Sequence, residues 1–342
     1  LTAGLIGLAA APAADAATND PFRVKQWGLD KIEADAAWPT ADGTGAIIAI
    51  VDTGVDLGHP DLSAKLLSFS DADFSEPAGT CTSRKGVKTC TQDGAQDKNG
   101  HGTHVAGIAG AITNNGVGVS GTAPGAKILP VRVLDASGSG TIDQIASGIR
   151  YAADKGADVI SLSLGEISVV GNVLTATGTN DPVISAINYA WSKGSLAVIA
   201  AGNDSFPYCA EPAATTNVIC VGATDRNDLR SYYSNSDATM TKTYVVAPGG
   251  AGGLFCADDI YSTWLRTATS YCSGGNVGYE AIAGTSMATP FVSGVAAILA
   301  GKGYTNAQIV SKLVATTDDL GSPGRDSIYG YGRVNARKAS VA

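Results

Sequence analysis

Two hydrophobic rhythms alternate along the chain. Residues 46–51, 127–133, 158–162, 196–200, 218–221 and 244–246 form short, nearly continuous apolar runs rich in Val and Ile. Other stretches carry apolar side chains every three or four positions: 101–111, 141–155, 181–193, 286–301, 305–314 and 335–339. The first rhythm predicts strands buried on both faces, the second predicts helices. In "TIDQIASGIRYAADK" (141–155), Ile142, Ile145, Ile149 and Ala152 share one face, and Gly156 supplies the stop. Strands alternating with helices imply an α/β fold with a mostly parallel central sheet and helices on both faces. No repeat or shift of composition divides residues 18–342, which are expected to form one domain, and the polar stretch 71–99 reads as a long loop.

Ligands of such sheets bind beyond the carboxyl ends of the strands. Asp52 follows the first run directly, "SLGE" (163–166) follows another and "AGND" (201–204) a third. "GHGTHVAG" (100–107) and "GTSMATP" (284–290) each open a helix after a glycine turn. Five polar clusters therefore point to one rim.

Composition narrows the partners. The 342 residues hold 31 Asp and Glu against 23 Lys and Arg, a net charge of −8, which argues against nucleic acid or an anionic membrane surface. Residues 1–17, "LTAGLIGLAAAPAADAA", resemble the back half of a secretory signal with "ADA" as its cleavage site, so a secreted, extracellular protein is expected. Interrupted by Pro12 and Asp15, that segment is a poor membrane span, and no other stretch is long and apolar enough. Six cysteines fit an oxidising compartment. Of roughly 15 connectivities, nearest neighbours are favoured: Cys81–Cys90, Cys209–Cys220 and Cys256–Cys272, each bracketing a polar or glycine-rich loop. No Cys-x-x-Cys points to zinc.

The triplet "DTG" at Asp52 is the signature of aspartic proteases, which need two carboxylates about 3 Å apart sharing a proton. The chain has one such triplet and no duplication to supply a second. Nucleophilic catalysis is the other reading: a serine, a base within hydrogen-bond reach, and a third group that fixes the base's tautomer. There are three histidines. His59 sits in a turn before proline and reads as structural. His101, flanked by Gly100 and Gly102 at a helix start, and His104, one turn on among apolar neighbours, both stand as the base, with spacing favouring His101. Ser286 reads as a plain helix N-cap or as a nucleophile at a helix end whose N–H and dipole suit an oxyanion. Asn203 reads as a turn residue or as a second oxyanion donor.

Taken together, "AIVDTGVDLGHPDL", "NGHGTHVAGIAGAITNNGVGVSGTAP", "VRVLDASGSG", "VISLSLG", "AAGND" and "GTSMATP" resemble the subtilisin-like serine proteases of the thermitase type, in order and from about Asn19 to Ala339. The resemblance implies a subtilisin-like three-layer fold and a serine endopeptidase acting on proteins or peptides through an acyl-enzyme. It implies broad specificity with an apolar preference. Ser286 would be the nucleophile, His101 the general base and Asp52 its orienting acid. Asn203 and the Ser286 N–H would form the oxyanion hole. The chain order Asp, His, Ser matches this family, not the α/β-hydrolases. Gly138, Ser139, Gly140, Ser163, Leu164 and Gly165 resemble the backbone segments that clamp an extended substrate. Leu134, Ile142 and Leu164 would line an apolar pocket, and Asp204 would make a neighbouring pocket tolerant of basic residues.

The same resemblance implies a structural calcium held by Asp20, Asp61 and Asn115 with the carbonyls of Thr113, Val117 and Val119; Asn114 competes with Asn115 in the loop "TNNGVGVSG". Asp71, Asp73, Asp93 and Asp97 read as a solvated acidic loop or as a second ion site. A monomer is expected. Two departures stand out: no prodomain-length segment precedes "NDPFRVKQWGLDKIEADAAW", and the cysteine-bearing inserts are extra. A non-catalytic, calcium-dependent binding module is the rival, against which the complete set Asp52, His101, Asn203 and Ser286 speaks.

Overall fold

A computed structural model describes residues 18–67, 72–75, 94–164, 181–253, 256–269 and 271–342, with the backbone of 81–84 and 87–90. The signal-like stretch 1–17, Gly165, Asp71, Asp93 and the side chains of Cys81 and Cys90 lie outside the described residues. In chain order the elements are α1 (Trp27–Lys31), α2 (Ala34–Ala37), β1 (Ile47–Asp52), β2 (Cys81–Arg84), β3 (Val87–Cys90), α3 (His101–Gly110), β4 (Lys127–Arg132) and α4 (Ile142–Asp154). There follow β5 (Val159–Leu162), α5 (Pro182–Ser192), β6 (Leu196–Ala200), β7 (Val218–Thr224), β8 (Tyr244–Pro248), β9 (Ile260–Thr263), β10 (Tyr279–Ile282), α6 (Thr285–Gly301), α7 (Asn306–Ala315) and α8 (Ala336–Ser340).

The central sheet is parallel throughout, in the order β4-β1-β5-β6-β7-β8. Alternate side chains of each strand feed two cores. Ile48 and Ile50 of β1 join the layer of α3 and α6, whereas Ala49 and Val51 join the layer of α4 and α5. This is the expected three-layer α/β architecture, and each strand reads as an unbroken apolar run because both faces are covered.

Helix α4 starts as its sequence predicts, with a reciprocal capping box between Thr141 and Gln144. Asp181 caps α5, whose first residue is Pro182. Helix α6 is apolar nearly all round and buried from Thr285 to Leu299. Its Val292, Val295 and Ile298 each contribute about 1.5–3 kcal/mol by burial.

Other elements differ from expectation. Strand β7 continues to Thr224, beyond residue 221, because Gly222, Ala223 and Thr224 go on pairing with Val246, Ala247 and Pro248 of β8; a Cβ on Gly222 would meet the Tyr244 hydroxyl at 2.0 Å. The stretch 71–99 is not simply a loop. It contains the antiparallel pair β2–β3, in which Cys81 faces Cys90 and Thr82 faces Thr89. The disulfides Cys209–Cys220 and Cys256–Cys272 are formed. Among the described residues no helix is long and apolar enough to cross a membrane.

Candidate active site

Strand β1 ends on Asp52, which is fully buried. Its Oδ1 accepts the Thr53 N–H at 2.7 Å and faces His101 Nδ1 at 2.8 Å. Its Oδ2 is buried and has no partner among the described residues. A glycine must follow the histidine here. A Cβ on Gly102 would lie 2.1 Å from the Gly54 carbonyl and 3.1 Å from Asp52 Oδ1.

The start of α3 has no side-chain cap on its N-cap residue, Gly100. Asp97 serves instead. Its Oδ1 accepts from Thr53 Oγ1 (2.9 Å), Asn99 N (2.9 Å) and Gly100 N (3.0 Å). Its Oδ2 accepts from Thr103 N (3.0 Å) and Thr103 Oγ1 (2.6 Å). One buried carboxylate thus binds the Gly100 and Thr103 N–H groups and ties them to the residue after Asp52, while Asn99 Oδ1 accepts the His101 N–H and Thr53 Oγ1 that of Gly102. The expectation of a solvated loop or ion ligand at Asp97 is corrected: its lone pairs are consumed by the protein's own donors. Asp73 is likewise committed, to Arg132 at 3.2 Å and to Ser75.

His101 keeps its ring partly exposed, and its Nε2 has no partner among the described residues. Burial disfavours its charged form, but the adjoining Asp52 carboxylate outweighs this through charge and hydrogen bond, and Asp97 adds to it, so His101 titrates above the ordinary histidine value. The other two histidines are structural. His104 is fully buried against the Glu280 carbonyl, and burial pushes it down to about 3. His59 is bound between the Gly278 carbonyl and the Asp61 N–H, and burial lowers it too.

Ser286 is the second residue of α6, not its N-cap, which is Gly284. Pro290, four residues on, has no N–H to give the Ser286 carbonyl. Ser163 Oγ gives it instead, at 2.8 Å, and Ser286 Oγ donates in return to the Ser163 carbonyl at 3.2 Å. Asn203 Oδ1 accepts from Thr285 N (2.9 Å) and Thr285 Oγ1 (3.0 Å), which leaves its amide NH₂ without a partner among the described residues. Asn235 braces the same turn, donating to the Ala201 carbonyl and accepting from Asp204 N and Phe206 N.

Two helices carry the candidate base and nucleophile to one rim. Gly102 touches Asp52 at the carboxyl end of β1, and Gly110 approaches Ile128 near the start of β4. Ser286 meets Ser163 beyond β5, and Ser293 meets Ser161 within it. Both α3 and α6 therefore run back along parallel strands, side by side. Gly294 lies against the Ala109 carbonyl, and stepping back from 294 to 286 and from 109 to 101 covers equal lengths of helix. Asp52 and His101 are directly joined; Asn203, Thr285, Ser286 and Ser163 are joined. No described hydrogen bond links Ser286 Oγ to His101: the hydroxyl is satisfied by the Ser163 carbonyl, and such bonds commonly tighten only with substrate.

Around this centre, Gly138 adopts φ of 82° in an exposed turn. The Ser139 N–H and carbonyl and the Gly138 N–H are all used inside that turn by Asp135, so among 138–140 the groups left for a partner are the Gly138 carbonyl and those of Gly140. Leu164 is buried, Leu134 and Ile142 are half-buried beside it in the same core, and Asp204 is exposed.

A second polar cluster lies where the first described residues meet the loop after α3. Asp20 and Asp61 are buried. Asp20 accepts from Asn114 N, Asn115 N and Ser120 Oγ. Asp61 accepts from Asn115 Nδ2, Val119 N and Tyr279 Oη. All these donors are neutral. Burial, with Asp20 as a like-charged neighbour, pushes the Asp61 carboxyl up to about 6 against the pull of its hydrogen bonds. The carbonyls of Thr113, Val117 and Val119 accept no hydrogen bond among the described residues. Asn115, not Asn114, reaches Asp61; Asn114 bonds to Asn19. Asn115 Oδ1 is taken by Val117 N. Among the described residues no three acidic, His or Cys side chains converge as a metal cluster.

A parallel three-layer sheet with a carboxylate–imidazole pair and a helix-borne serine at one rim defines a class. The chain belongs to the subtilase family, whose model matches residues 43–332, and it is a subtilisin-like serine protease acting on proteins or peptides. It is 44% identical over 322 residues to thermitase of Thermoactinomyces vulgaris, covering 94% of this chain and 98% of that one. Subtilisin Savinase of Lederbergia lenta is 37% identical, with 92% and 98% covered. A solved protease structure from Pseudoalteromonas arctica superposes with a TM-score of 0.76 at 32% identity, covering 95% of this chain and 98% of that one.

Sequence reasoning gave Asp97 the wrong role and missed Thr103 and Asn235. Asp97 stands three residues before the N-cap, outside the window in which capping side chains are sought, although its spacing in "DKNGHGT" was visible.

Proposed function

We propose that this protein is a secreted serine endopeptidase in which Ser286 attacks the peptide carbonyl, His101 takes its proton and Asp52 steadies the imidazolium. The supporting observation is the 2.8 Å contact of His101 Nδ1 with Asp52, which orients the ring and leaves Nε2 open to take a serine proton. Ser286 Oγ leaves the Ser163 carbonyl, passes its proton to Nε2 and adds to the peptide carbonyl, giving a tetrahedral intermediate that collapses to the acyl-enzyme as the C–N bond breaks. The proton then goes to the departing amine, and water repeats the sequence to release the acid. The oxyanion is met by the Asn203 amide, whose oxygen is pinned and whose NH₂ is open, and by the Ser286 N–H in the first turn of α6.

Gly138, Gly140, Ser163 and Leu164, with Ser139 holding the turn and Gly165 beyond, clamp the acyl side of the substrate as an added strand. Leu134, Ile142 and Leu164 give it a broad apolar preference. The test is labelling with a serine-directed phosphonate followed by peptide mapping. Modification at Ser286 that vanishes in Ser286→Ala is expected; labelling elsewhere, or proteolysis retained by Ser286→Ala, refutes the assignment.

Calcium suits the second cluster: two buried carboxylates answered only by neutral donors, beside three unanswered carbonyls. Asp20, Asp61 and Asn115 would hold it with the carbonyls of Thr113, Val117 and Val119, Asn115 giving up its bond to Val117. It would supply the positive charge that joins the segment at Asp20 to the loop after α3, with no part in the chemistry. Two formed disulfides support an oxidising, extracellular setting. Residues 18–342 are taken as one peptidase domain.

A further inference from the structure

The two described disulfides differ in their surroundings. Cys209 and Cys220 are 3 and 0% exposed. Cys256 and Cys272 are only half-buried, packed against the edge of the core. Exchange needs access to a sulfur, and exposed bridges are the labile ones.

The half-buried bridge closes the segment that contains β9, with Cys272 in the connection 264–278 between β9 and β10. This segment braces the helix that carries His101. Ser262 Oγ donates to the His104 carbonyl at 2.8 Å and Thr263 Oγ1 to that of Thr103 at 2.7 Å. Trp264 covers Gly100, the residue before His101: a Cβ there would lie 2.5 Å from the indole. Arg266 holds Asp56 through its N–H at 3.0 Å and its Nε at 2.9 Å, and Asp56 N bonds in turn to Thr103 Oγ1 at 2.9 Å. The first turn of α3 is thus propped from outside the central sheet. The connection itself is tied by the Trp264 N–H on the Gly278 carbonyl, by Tyr261 Oη on the Ser273 carbonyl, and covalently at Cys272. Removing the covalent tie enlarges the set of open conformations, so local opening becomes more frequent.

We propose that Cys256–Cys272 is a thiol-responsive latch on the helix start that carries His101, opened by small thiols in the surroundings while Cys209–Cys220 stays closed. A thiolate of a small dithiol attacks one sulfur, the bond between Cys256 and Cys272 breaks, and the released cysteine thiolate takes a proton. The second thiol of the reductant then displaces the other cysteine from the mixed disulfide. Two electrons pass to the bridge, and the reductant leaves as its own disulfide. With the latch open, Trp264 and Arg266 let go of the start of α3 more often and turnover slows, while the fold persists. Exchange with the oxidised dithiol runs the same steps backwards and restores the rate.

In the test, the protein is equilibrated with a small dithiol at set ratios of its reduced and oxidised forms, alkylated, and mapped cysteine by cysteine. Alkylation of Cys256 and Cys272 is expected before that of Cys209 and Cys220. Over the same range kcat on a peptide substrate, per active site counted with a serine-directed phosphonate, is expected to fall about two- to thirtyfold and to recover on resealing. Cys256→Ser/Cys272→Ser is expected to start at the lowered rate and to ignore the dithiol; should it fail to fold, the wild-type titration decides. Amide hydrogen exchange of residues 100–104, followed in Ser286→Ala protein, is expected to quicken on reduction. Earlier opening of Cys209–Cys220 overturns the proposal. So does an unchanged rate or unchanged exchange once Cys256 and Cys272 are alkylated, or a double variant that the dithiol still slows. Oxidised protein that takes no phosphonate overturns the protease reading instead, and the exchange of 100–104 then decides the latch alone.

Discussion

Asp97 touches no substrate in this scheme, yet it should be among the most sensitive positions. Five donors converge on its carboxylate, three of them backbone N–H groups. In Asp97→Asn one oxygen becomes an NH₂. Placed at Oδ2, it confronts the Thr103 N–H; placed at Oδ1, it confronts those of Asn99 and Gly100. The threonine hydroxyls can turn, but backbone donors cannot. At least one hydrogen bond to a charged group is lost, about 1.5–3 kcal/mol. The favourable interaction of a carboxylate with a helix start goes with it, about 0.3–1 kcal/mol. The expected destabilisation is therefore about 2–4 kcal/mol. It is measured by urea denaturation in a Ser286→Ala background, which removes self-digestion. The charge has a second readout, because Asp97 helps hold His101 above the ordinary histidine value. Its neutralisation should move the acid limb of kcat/KM to lower pH. A loss below about 0.5 kcal/mol, the scale of ordinary surface substitutions, together with an unmoved limb, would refute the role given to this carboxylate.

Further outcomes follow from the same geometry. Activity needs His101 neutral, and its pKa is raised, so kcat/KM should climb with pH along a limb lying above 6.5. Asp52→Asn should shift that limb downward and cut kcat by about 10⁴. Ser163→Ala leaves the Ser286 carbonyl unanswered, because Pro290 cannot replace the lost donor. Stability should fall by about 1–3 kcal/mol, and restoration by Ser163→Thr would separate hydroxyl from volume. Excess chelator should lower the melting temperature of the Ser286→Ala protein; an identical curve with and without chelator would count against calcium at Asp20 and Asp61.

The large features of the fold were written in the apolar runs. Strands β1, β4, β5, β6 and β8 and helices α3 to α8 lie within a few residues of where periodicity puts them, since burial on both faces leaves little room for polar residues. The elements that escaped are short or mixed. Helices α1 and α2 are too brief to show a helical period. The hairpin β9–β10 mixes Ser262, Thr263 and Glu280 with its apolar residues, and these polar side chains are buried because α3 and neighbouring backbone offer them partners. At the site, residue types and order were legible. The bonds that set their poise were not: Ser163 to Ser286 and Thr285 to Asn203 join residues whose meeting depends on the sheet order, whereas Asp97 to Thr103 spans only six residues and depends on the turn before α3.

The proline in α6 has a wider consequence. An unbroken helix would keep its first turn to itself, and the serine there would answer only to its own coil. With the fourth following N–H deleted, that turn is clasped by the end of a strand from the middle of the sheet, through a reciprocal pair of contacts. Anything that lays itself along that strand end competes for the very carbonyl on which the resting hydroxyl is parked. On the proposed reading, arrival of a chain to be cut and release of the hydroxyl for attack would be one event.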